Sequence, residues 1–285
     1  MNWKGVIPAI TTPFREDLSV DHDFLAKHAA WMIENGCTAI VALGSLGEGA
    51  TLEFEEKAAV LQTCMRSKAP VVASISALST AAAVRLAKKA EEIGCSGLMV
   101  LPPYVYSTDW REMKAHMTAV LRATRLSCML YNNPIAYRTD FLPEQVAELA
   151  SEHENLHAVK ESSADVRRIA AIKAVMRRPL AIFVGVDDLI VEGIASGAVG
   201  WIAGLVNALP KESVALFNGA DIYPWFLPLL RLDTVPKFVQ LIKLVQQEVG
   251  MGNERVRPPR LPLAGDEREA ALRIIRSALA SRPRV

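Results

Sequence analysis

Short apolar runs, many of them rich in β-branched residues, alternate along the chain with longer segments in which hydrophobic positions recur at helical spacing. The short runs predict eight strands: Val6–Ile10, Ala39–Leu43, Val71–Ile75, Gly97–Leu101, Ser127–Tyr131, His157–Lys160, Ala181–Val184 and Ala198–Ile202. The longer segments predict helices over Asp21–Asn35, Glu53–Ser67, Thr80–Ile93, Trp110–Ala123, Pro143–Ser151, Ala164–Met176 and Asp188–Ala195.

Strands that alternate with helices and are themselves nearly all apolar indicate a parallel sheet covered on both faces. Eight such units, using about 250 residues, are typical of a closed (β/α)8 TIM barrel. The competing architecture is an open doubly wound sheet, whose commonest signature is a GxGxxG turn after the first strand. The residues after Ile10 are instead Thr11-Thr12-Pro13-Phe14, so we favour the barrel.

Beyond Pro210 the pattern predicts a small helical extension. Its helices are Pro224–Leu230, Lys237–Val249 and Asp266–Ala280, with a loop rich in Pro and Arg from Gly250 to Gly265. We therefore divide the chain into a barrel over residues 1–210 and, over residues 211–285, the last barrel helix followed by the C-terminal helices.

The charge balance excludes some classes of partner. The 285 residues include 32 Lys and Arg against 31 Asp and Glu, a formal net charge of +1. Such a chain has no electrostatic footprint for nucleic acid or for an anionic membrane. It also lacks an apolar stretch of about 18 residues and a leader-like N-terminus, so we expect a soluble protein of the reducing cytoplasm.

Metal chemistry is not expected from the cysteines and histidines. The four cysteines are far apart in sequence, and the five histidines include no HExxH arrangement. Each cysteine is expected to pack as a small buried hydrophobe.

In a barrel of this type the chemistry lies at the C-terminal ends of the strands. The second strand runs into Gly44-Ser45-Leu46-Gly47-Glu48-Gly49, whose glycines free the backbone amides for an anion such as a carboxylate. Ser45 adds a hydroxyl for the same anion. A tight turn without a ligand, with Ser45 capping the next helix, fits this segment equally well.

The fifth and sixth strands end in Tyr131 and Lys160. A phenol at the barrel mouth is a candidate proton donor and acceptor, although a packed aromatic is the more frequent role. A lysine on a buried strand is unusual. Partial desolvation lowers the pKa of such an amine, which then attacks a carbonyl to form a Schiff base. A structural ion pair is the alternative.

The last two strands also end in polar or small residues. Gly185 and Asp187 follow the seventh strand, and Ala203 with Gly204 ends the eighth. We count Gly185, Asp187 and Ala203 as candidate substrate-binding positions, with Asp187 placed to contact a substrate hydroxyl. Asp188 is expected to cap the following helix.

The motifs GSLGE, YNNP, VKESS and GVDD, in this order at successive strand ends, resemble the dihydrodipicolinate synthase and N-acetylneuraminate lyase superfamily. The resemblance runs from Gly5 to the C-terminal helices and implies a (β/α)8 barrel, commonly a homotetramer. It also implies a Schiff base between a lysine and a 2-oxo acid or its imine, without metal or organic cofactor. Carried over by position, Lys160 is the Schiff-base lysine, Tyr131 relays protons, and Ser45 with the Leu46 amide binds the substrate carboxylate.

Three departures from the synthases bear on the substrate. Those enzymes carry a second hydroxyl residue where this chain has Leu46 and an interface tyrosine where it has Val105, with Tyr106 as an alternative one position on. They also place an aldehyde-binding arginine where this chain has Ala136, and the nearest arginine is Arg138. A lysine-biosynthetic synthase is therefore disfavoured.

The chain looks most like the deaminases that act on 1-pyrroline-4-hydroxy-2-carboxylate in hydroxyproline catabolism, on the motifs GSLGE, PPxVY, YNNPxAY, GVDD, WxAGLV and RLPL. This resemblance implies release of ammonia and 2,5-dioxopentanoate, with no second carbonyl substrate and with Asp187 at the 4-hydroxyl. The alternatives are a sialic acid lyase-like or keto-deoxy sugar acid aldolase, a dihydrodipicolinate synthase, and a non-catalytic ligand-binding relative.

Overall fold

The computed structural model describes residues 1–103 and 109–285, and within them eight parallel strands form one barrel-shaped sheet. The strands are β1 Gly5–Pro8, β2 Ile40–Ala42, β3 Val71–Ile75, β4 Gly97–Val100, β5 Ser127–Asn132, β6 Leu156–Glu161, β7 Ala181–Val184 and β8 Gly200–Ala203. The sheet order runs from β1 through β8 down to β2. Between β1 and β2 the Ile10 amide donates to the Val41 carbonyl at 2.9 Å, which brings the two ends of the sheet together. The predicted (β/α)8 barrel is confirmed.

Helices cover the outside of the sheet, and further helices follow the last strand. They are α1 His22–Glu34, α2 Phe54–Met65, α3 Thr80–Ile93, α4 Trp110–Arg122, α5 Pro134–Tyr137, α6 Pro143–Glu152, α7 Arg167–Val175, α8 Ile190–Ala195, α9 Pro210–Phe217, α10 Tyr223–Leu230, α11 Phe238–Glu248 and α12 Gly265–Ala280. Single 3-10 turns occur at Gly49–Thr51, Asp187–Leu189, Leu205–Asn207 and Arg231–Asp233. No helix among the described residues is long and apolar enough to cross a membrane.

Two local predictions need correction. Asp188 does not cap α8, because it lies inside the 3-10 turn that precedes this helix, and its carboxylate pairs with Arg231 at 3.9 Å. The short helix α5 was not predicted. It forms because Pro134 occupies its first turn and the Asn133 side chain accepts the Ala136 amide at 3.0 Å.

The C-terminal helices are anchored to the barrel by a buried ion pair. In α11 the Lys243 ammonium lies 2.5 Å from Glu48 in the loop after β2, and both side chains are almost completely buried. The Glu48 carboxylate also accepts the Arg257 amide at 3.0 Å. Glu48 therefore connects the loop after β2 to α11 and to the segment that follows it, and this arrangement fixes the C-terminal helices against the barrel.

Candidate active site

Lys160 and Tyr131 lie side by side at the C-terminal ends of β6 and β5. The two residues are register partners in the sheet. The Lys160 ammonium lies 4.1 Å from the centroid of the Tyr131 ring. Both side chains are only 6% exposed. The sheet therefore brings together the two residues for which the sequence predicts catalytic roles.

The surroundings of Lys160 favour its neutral form. Burial lowers the pKa of this amine to about 8, while Asp233 and, to a smaller extent, Asp187 act in the opposite direction. Within the described residues Lys160 takes part in no ion pair at 4.0 Å or closer. The alternative of a structural ion pair is thus not realised there, and the amine is a candidate nucleophile.

Tyr131 is held as a neutral phenol. Burial raises its pKa to about 12, and its hydroxyl oxygen accepts a hydrogen bond from the Asn133 side chain at 2.9 Å. The buried Ser162 hydroxyl lies beside the phenol and lowers its pKa, although it makes no hydrogen bond of regular geometry within the described residues. A phenol with these neighbours is suited to donate a proton to a bound substrate.

The glycine-rich loop after β2 is shaped in part by close packing. A Cβ at Gly47 would lie 2.8 Å from the Ile10 carbonyl oxygen, and one at Gly49 would lie 2.1 Å from the Leu43 carbonyl oxygen. These two glycines are therefore required by the fold, whatever the loop binds. The Leu46 side chain is 3% exposed and packs in the core.

Ser45 meets the hydroxyl of Tyr137, the last residue of the motif YNNPxAY, to which the sequence assigned no role. Its hydroxyl is hydrogen-bonded to the hydroxyl of Tyr137 in α5, so it is not used as a helix cap. The Tyr137 ring lies edge to face with that of Tyr131, with ring centroids 5.9 Å apart. A second phenol thus lies at the mouth of the barrel. It contacts Ser45, the neighbour of Leu46, which stands where the resemblance implies a second hydroxyl residue for a synthase.

Asp187 is fully buried and holds the end of β8. Its carboxylate accepts hydrogen bonds from the Trp201 indole at 2.9 Å, the Gly204 amide at 3.1 Å and the Leu205 amide at 2.9 Å. Burial nevertheless raises its pKa to about 6. Because both oxygens already accept hydrogen bonds from the protein, a substrate hydroxyl would have to share an occupied oxygen. The predicted contact with substrate stays a prediction.

Gly185 and Ala203 have structural roles that the sequence did not reveal. A Cβ at Gly185 would lie 1.9 Å from the Ser162 hydroxyl and 2.6 Å from Cε of Lys160, so only glycine lets the lysine chain pass. Ala203 is fully buried, and its carbonyl accepts the Ala9 amide at 2.9 Å. Substrate contacts at these two positions remain predictions.

Asp233 is a further carboxylate at this end of the barrel that the sequence analysis missed. It belongs to the 3-10 turn between α10 and α11, and its Oδ1 lies 2.1 Å from where a Cβ on Gly204 would be. The Gly204 amide donates a hydrogen bond to Asp187, so Asp233 and Asp187 approach the same residue at the end of β8. The distance along the sequence hides Asp233, since a 3-10 turn and the two helices α9 and α10 lie between the last strand and this residue.

Four positions that the sequence singles out remain. Ala136 and Arg138 are exposed, and Arg138 has a left-handed backbone with φ of 58°. Val105 and Tyr106 fall outside the described residues. Among the residues that are described, no group of three His, Cys, Asp or Glu is placed to hold a metal ion.

Known proteins resemble this chain in sequence and in fold. The model of the Dihydrodipicolinate synthetase family matches residues 2–278. A 4-hydroxy-tetrahydrodipicolinate synthase of Geotalea uraniireducens is 32% identical over 275 residues, which cover 92% of this chain and 94% of that protein. The enzyme of the same name from Clostridium perfringens is 34% identical over 214 residues, or 74% of this chain and 73% of that one. The crystal structure of a dihydrodipicolinate synthase from Bacillus anthracis superposes with a TM-score of 0.91 at 28% identity, covering 100% of both chains.

The barrel, the strand-end lysine and these matches together define an enzyme of the lyase or synthase class that works through a Schiff base. The chain belongs to the dihydrodipicolinate synthetase family.

Proposed function

We propose that the protein converts 1-pyrroline-4-hydroxy-2-carboxylate into 2,5-dioxopentanoate and ammonia. The observation that carries this proposal is the composition of the barrel mouth. It holds a buried amine beside a phenol, with Leu46 and Ala136 at the positions where the resemblance implies a hydroxyl and an aldehyde-binding arginine for a synthase. A site without this hydroxyl and this arginine is suited to a single substrate that already carries all the carbon atoms of the product, so no second carbonyl compound has to bind.

In the first step the neutral Lys160 amine attacks C2 of the cyclic imine, whose ring nitrogen is protonated. The bond between C2 and the ring nitrogen breaks, and this nitrogen stays on C5 as a primary amine. Tyr131 transfers the proton that the lysine nitrogen loses to the departing ring nitrogen, and it ends as a phenol again. The product is an open-chain Schiff base on Lys160, and Ser45 with the Leu46 amide binds its carboxylate.

The protonated Schiff base then acidifies C3. Loss of the C3 proton and of the C4 hydroxyl removes one water and leaves a C3–C4 double bond. A proton shift from C5 to C3 moves the double bond to C4–C5 and gives an enamine. A second shift, from the nitrogen to C4, converts this enamine into the C5 imine. One water hydrolyses this imine and releases ammonia, and a second water releases the product from Lys160. The net reaction consumes one water.

A pyruvate-dependent synthase or aldolase is the second candidate. The similarity to relatives that are named 4-hydroxy-tetrahydrodipicolinate synthases supports this candidate. Both candidates share the Schiff base on a lysine and differ in whether a second carbonyl compound takes part.

Three assays on the purified protein separate these activities. Ammonia release is measured from 1-pyrroline-4-hydroxy-2-carboxylate, pyruvate release from a panel of 2-keto-3-deoxy acids, and pyruvate consumption in the presence of aspartate semialdehyde. We expect turnover in the first assay alone. Absence of ammonia at every enzyme concentration would reject the deaminase, and turnover in either of the others would establish the second candidate. The homotetramer implied by the family resemblance is proposed as well, and sedimentation equilibrium measures it directly.

A further inference from the structure

Asp187 and Asp188 belong to the loop that follows β7. Asp233 does not belong to a loop between a strand and the next helix. The turn Arg231–Asp233 joins α10 to α11 and carries the side chain to the end of β8. Its Oδ1 and Oδ2 lie 2.1 and 2.9 Å from the position of a Cβ on Gly204, a contact that only a glycine permits. Gly204 therefore makes room for this carboxylate.

Within the described residues the Asp233 carboxylate has no hydrogen bond and no ion pair at 4.0 Å or closer. Asp187 and Asp188 differ in this respect, since Asp187 accepts protein amides and Asp188 pairs with Arg231. Asp233 is also half-buried, a setting in which a carboxylate loses hydration. An acid that none of the described residues binds is, in such a position, available to a bound molecule.

Asp233 acts electrostatically on the catalytic cluster. It contributes the larger of the two charge effects that raise the pKa of Lys160, and it also raises the pKa of Tyr131. Its own pKa is raised well above the ordinary value by burial, with Asp187 adding to the rise and Lys160 opposing it. A carboxyl group in this environment keeps its proton to a higher pH than an ordinary aspartate does, so it is suited to give a proton back after accepting one.

We propose that Asp233 is the catalytic acid–base residue that eliminates water from the substrate bound to Lys160, a role that rests on the proposed deaminase function. The Asp233 carboxylate accepts the proton from C3, and the electron pair of this bond moves into the Schiff base to give an enamine. The carboxyl group so formed gives its proton to the C4 oxygen. The C4–O bond then breaks with its electron pair, water leaves, the C3–C4 double bond forms, and Asp233 returns to its initial state.

The test compares Asp233→Asn with Asp221→Asn, in which an exposed aspartate outside the site is changed in the same way. With 1-pyrroline-4-hydroxy-2-carboxylate we expect Asp233→Asn to lower kcat for ammonia by about 100-fold or more, and Asp221→Asn to match the wild type. Borohydride added to Asp233→Asn should trap on Lys160 an adduct that retains the C4 hydroxyl, heavier by one water than the dehydrated adduct. Trapping of pyruvate on Lys160 should persist, with its pH profile displaced to lower pH because a charge that raises the pKa of the lysine is gone.

The outcomes are distinguishable. If the wild type releases no ammonia, the proposed function fails and the role of Asp233 fails with it. If the wild type is active and Asp233→Asn stays within about threefold of it, only the role of Asp233 is rejected. If a folded variant loses both pyruvate trapping and ammonia release, Asp233 is needed for the reaction of Lys160 and not specifically for the elimination of water. This outcome also overturns the proposal. Asp233→Ser, which has a smaller side chain next to Gly204, provides the same readouts if the amide disturbs folding.

Discussion

The Lys160 ammonium lies over the ring of Tyr131, 4.1 Å from its centroid, because the two residues are register partners on neighbouring parallel strands. Their relative position depends on the hydrogen-bonded sheet and needs no flexible loop. Groups held by strands are placed more exactly than groups held by loops. The proposed nucleophile and the phenol are therefore held as one unit, and several expected outcomes follow from their neighbours.

Replacement of Lys160 should abolish turnover. In Lys160→Ala no amine remains to form the Schiff base, so ammonia release falls to background while circular dichroism shows an unchanged fold. The matched control is Lys211→Ala, which removes an exposed lysine at the start of α9 and should keep full activity. Borohydride with a 2-oxo acid, followed by peptide mass mapping, should label Lys160 in the wild type. A label on another lysine would contradict the site assignment.

The rate of Schiff-base formation should increase with pH through about 8. The pKa of Lys160 is lowered to about 8 by burial, and only the neutral amine attacks. Below this pH the reactive fraction falls tenfold per unit, and above it the rate reaches a plateau. The measurement is the initial rate of borohydride-trapped pyruvate adduct between mildly acidic and alkaline pH. A midpoint near the ordinary lysine pKa of about 10.4 would show that the amine is not desolvated in solution.

The hydrogen bond between Ser45 and Tyr137 should contribute to catalysis as a pair. A hydrogen bond of ordinary strength contributes about 1 kcal/mol, so Ser45→Ala and Tyr137→Phe should each lower kcat/KM by roughly fivefold. The double variant should be little worse than either single one, because each change already removes the bond. A double-mutant cycle measures this coupling. Strictly multiplicative effects would mean that the two hydroxyls act independently.

A methyl group at Gly185 should displace the Lys160 side chain. In Gly185→Ala the new Cβ would lie 2.6 Å from Cε of Lys160 and 1.9 Å from the Ser162 hydroxyl, so both side chains must shift. We expect kcat to fall by about 100-fold, as a shift of about 1 Å at the reacting group implies. Overpacking should also lower the free energy of unfolding by about 1–3 kcal/mol. Steady-state kinetics and urea unfolding test both parts, and an unchanged kcat would contradict the packing.

The pair Glu48–Lys243 should be important for stability. Lys243→Met leaves Glu48 buried without its main partner, and breaking such a pair costs about 3–5 kcal/mol. Adding Glu48→Gln removes the stranded charge, so the double variant should be more stable than Lys243→Met alone. Urea denaturation followed by circular dichroism measures the difference. Equal stability of the single variant and the wild type would show that the ion pair is not needed for folding.

The sequence predicts the barrel well because short apolar runs alternate regularly with longer segments in which hydrophobic positions recur at helical spacing. It also predicts Lys160 and Tyr131 as strand-end residues, and the sheet then brings them together. Tyr137 ends the motif YNNPxAY, but its contact with Ser45 is not predicted, because the four-residue helix that carries it is too short to show a period. Asp233 is missed for a different reason. Nothing in its neighbours along the chain indicates that the turn after α10 reaches the end of β8.

The hydrogen-bond partners of Asp187 are another feature that the sequence does not predict. Its position after the seventh strand predicts a polar group at the barrel mouth, and the structure places it there. Which partners a carboxylate chooses depends on donors from the next strand, here the Trp201 indole and two backbone amides. Such donors cannot be inferred from spacing along one segment.

The position of Asp233 has a consequence for the order in which the protein is made. A nascent chain that has just completed β8 contains all the strands of the sheet and the lysine, but the residue that lies against Gly204 has not yet been synthesised. The helix α11, whose Lys243 neutralises the buried Glu48, comes later still. The C-terminal end of the barrel is therefore completed only after its strands, by residues that leave the ribosome later than β8.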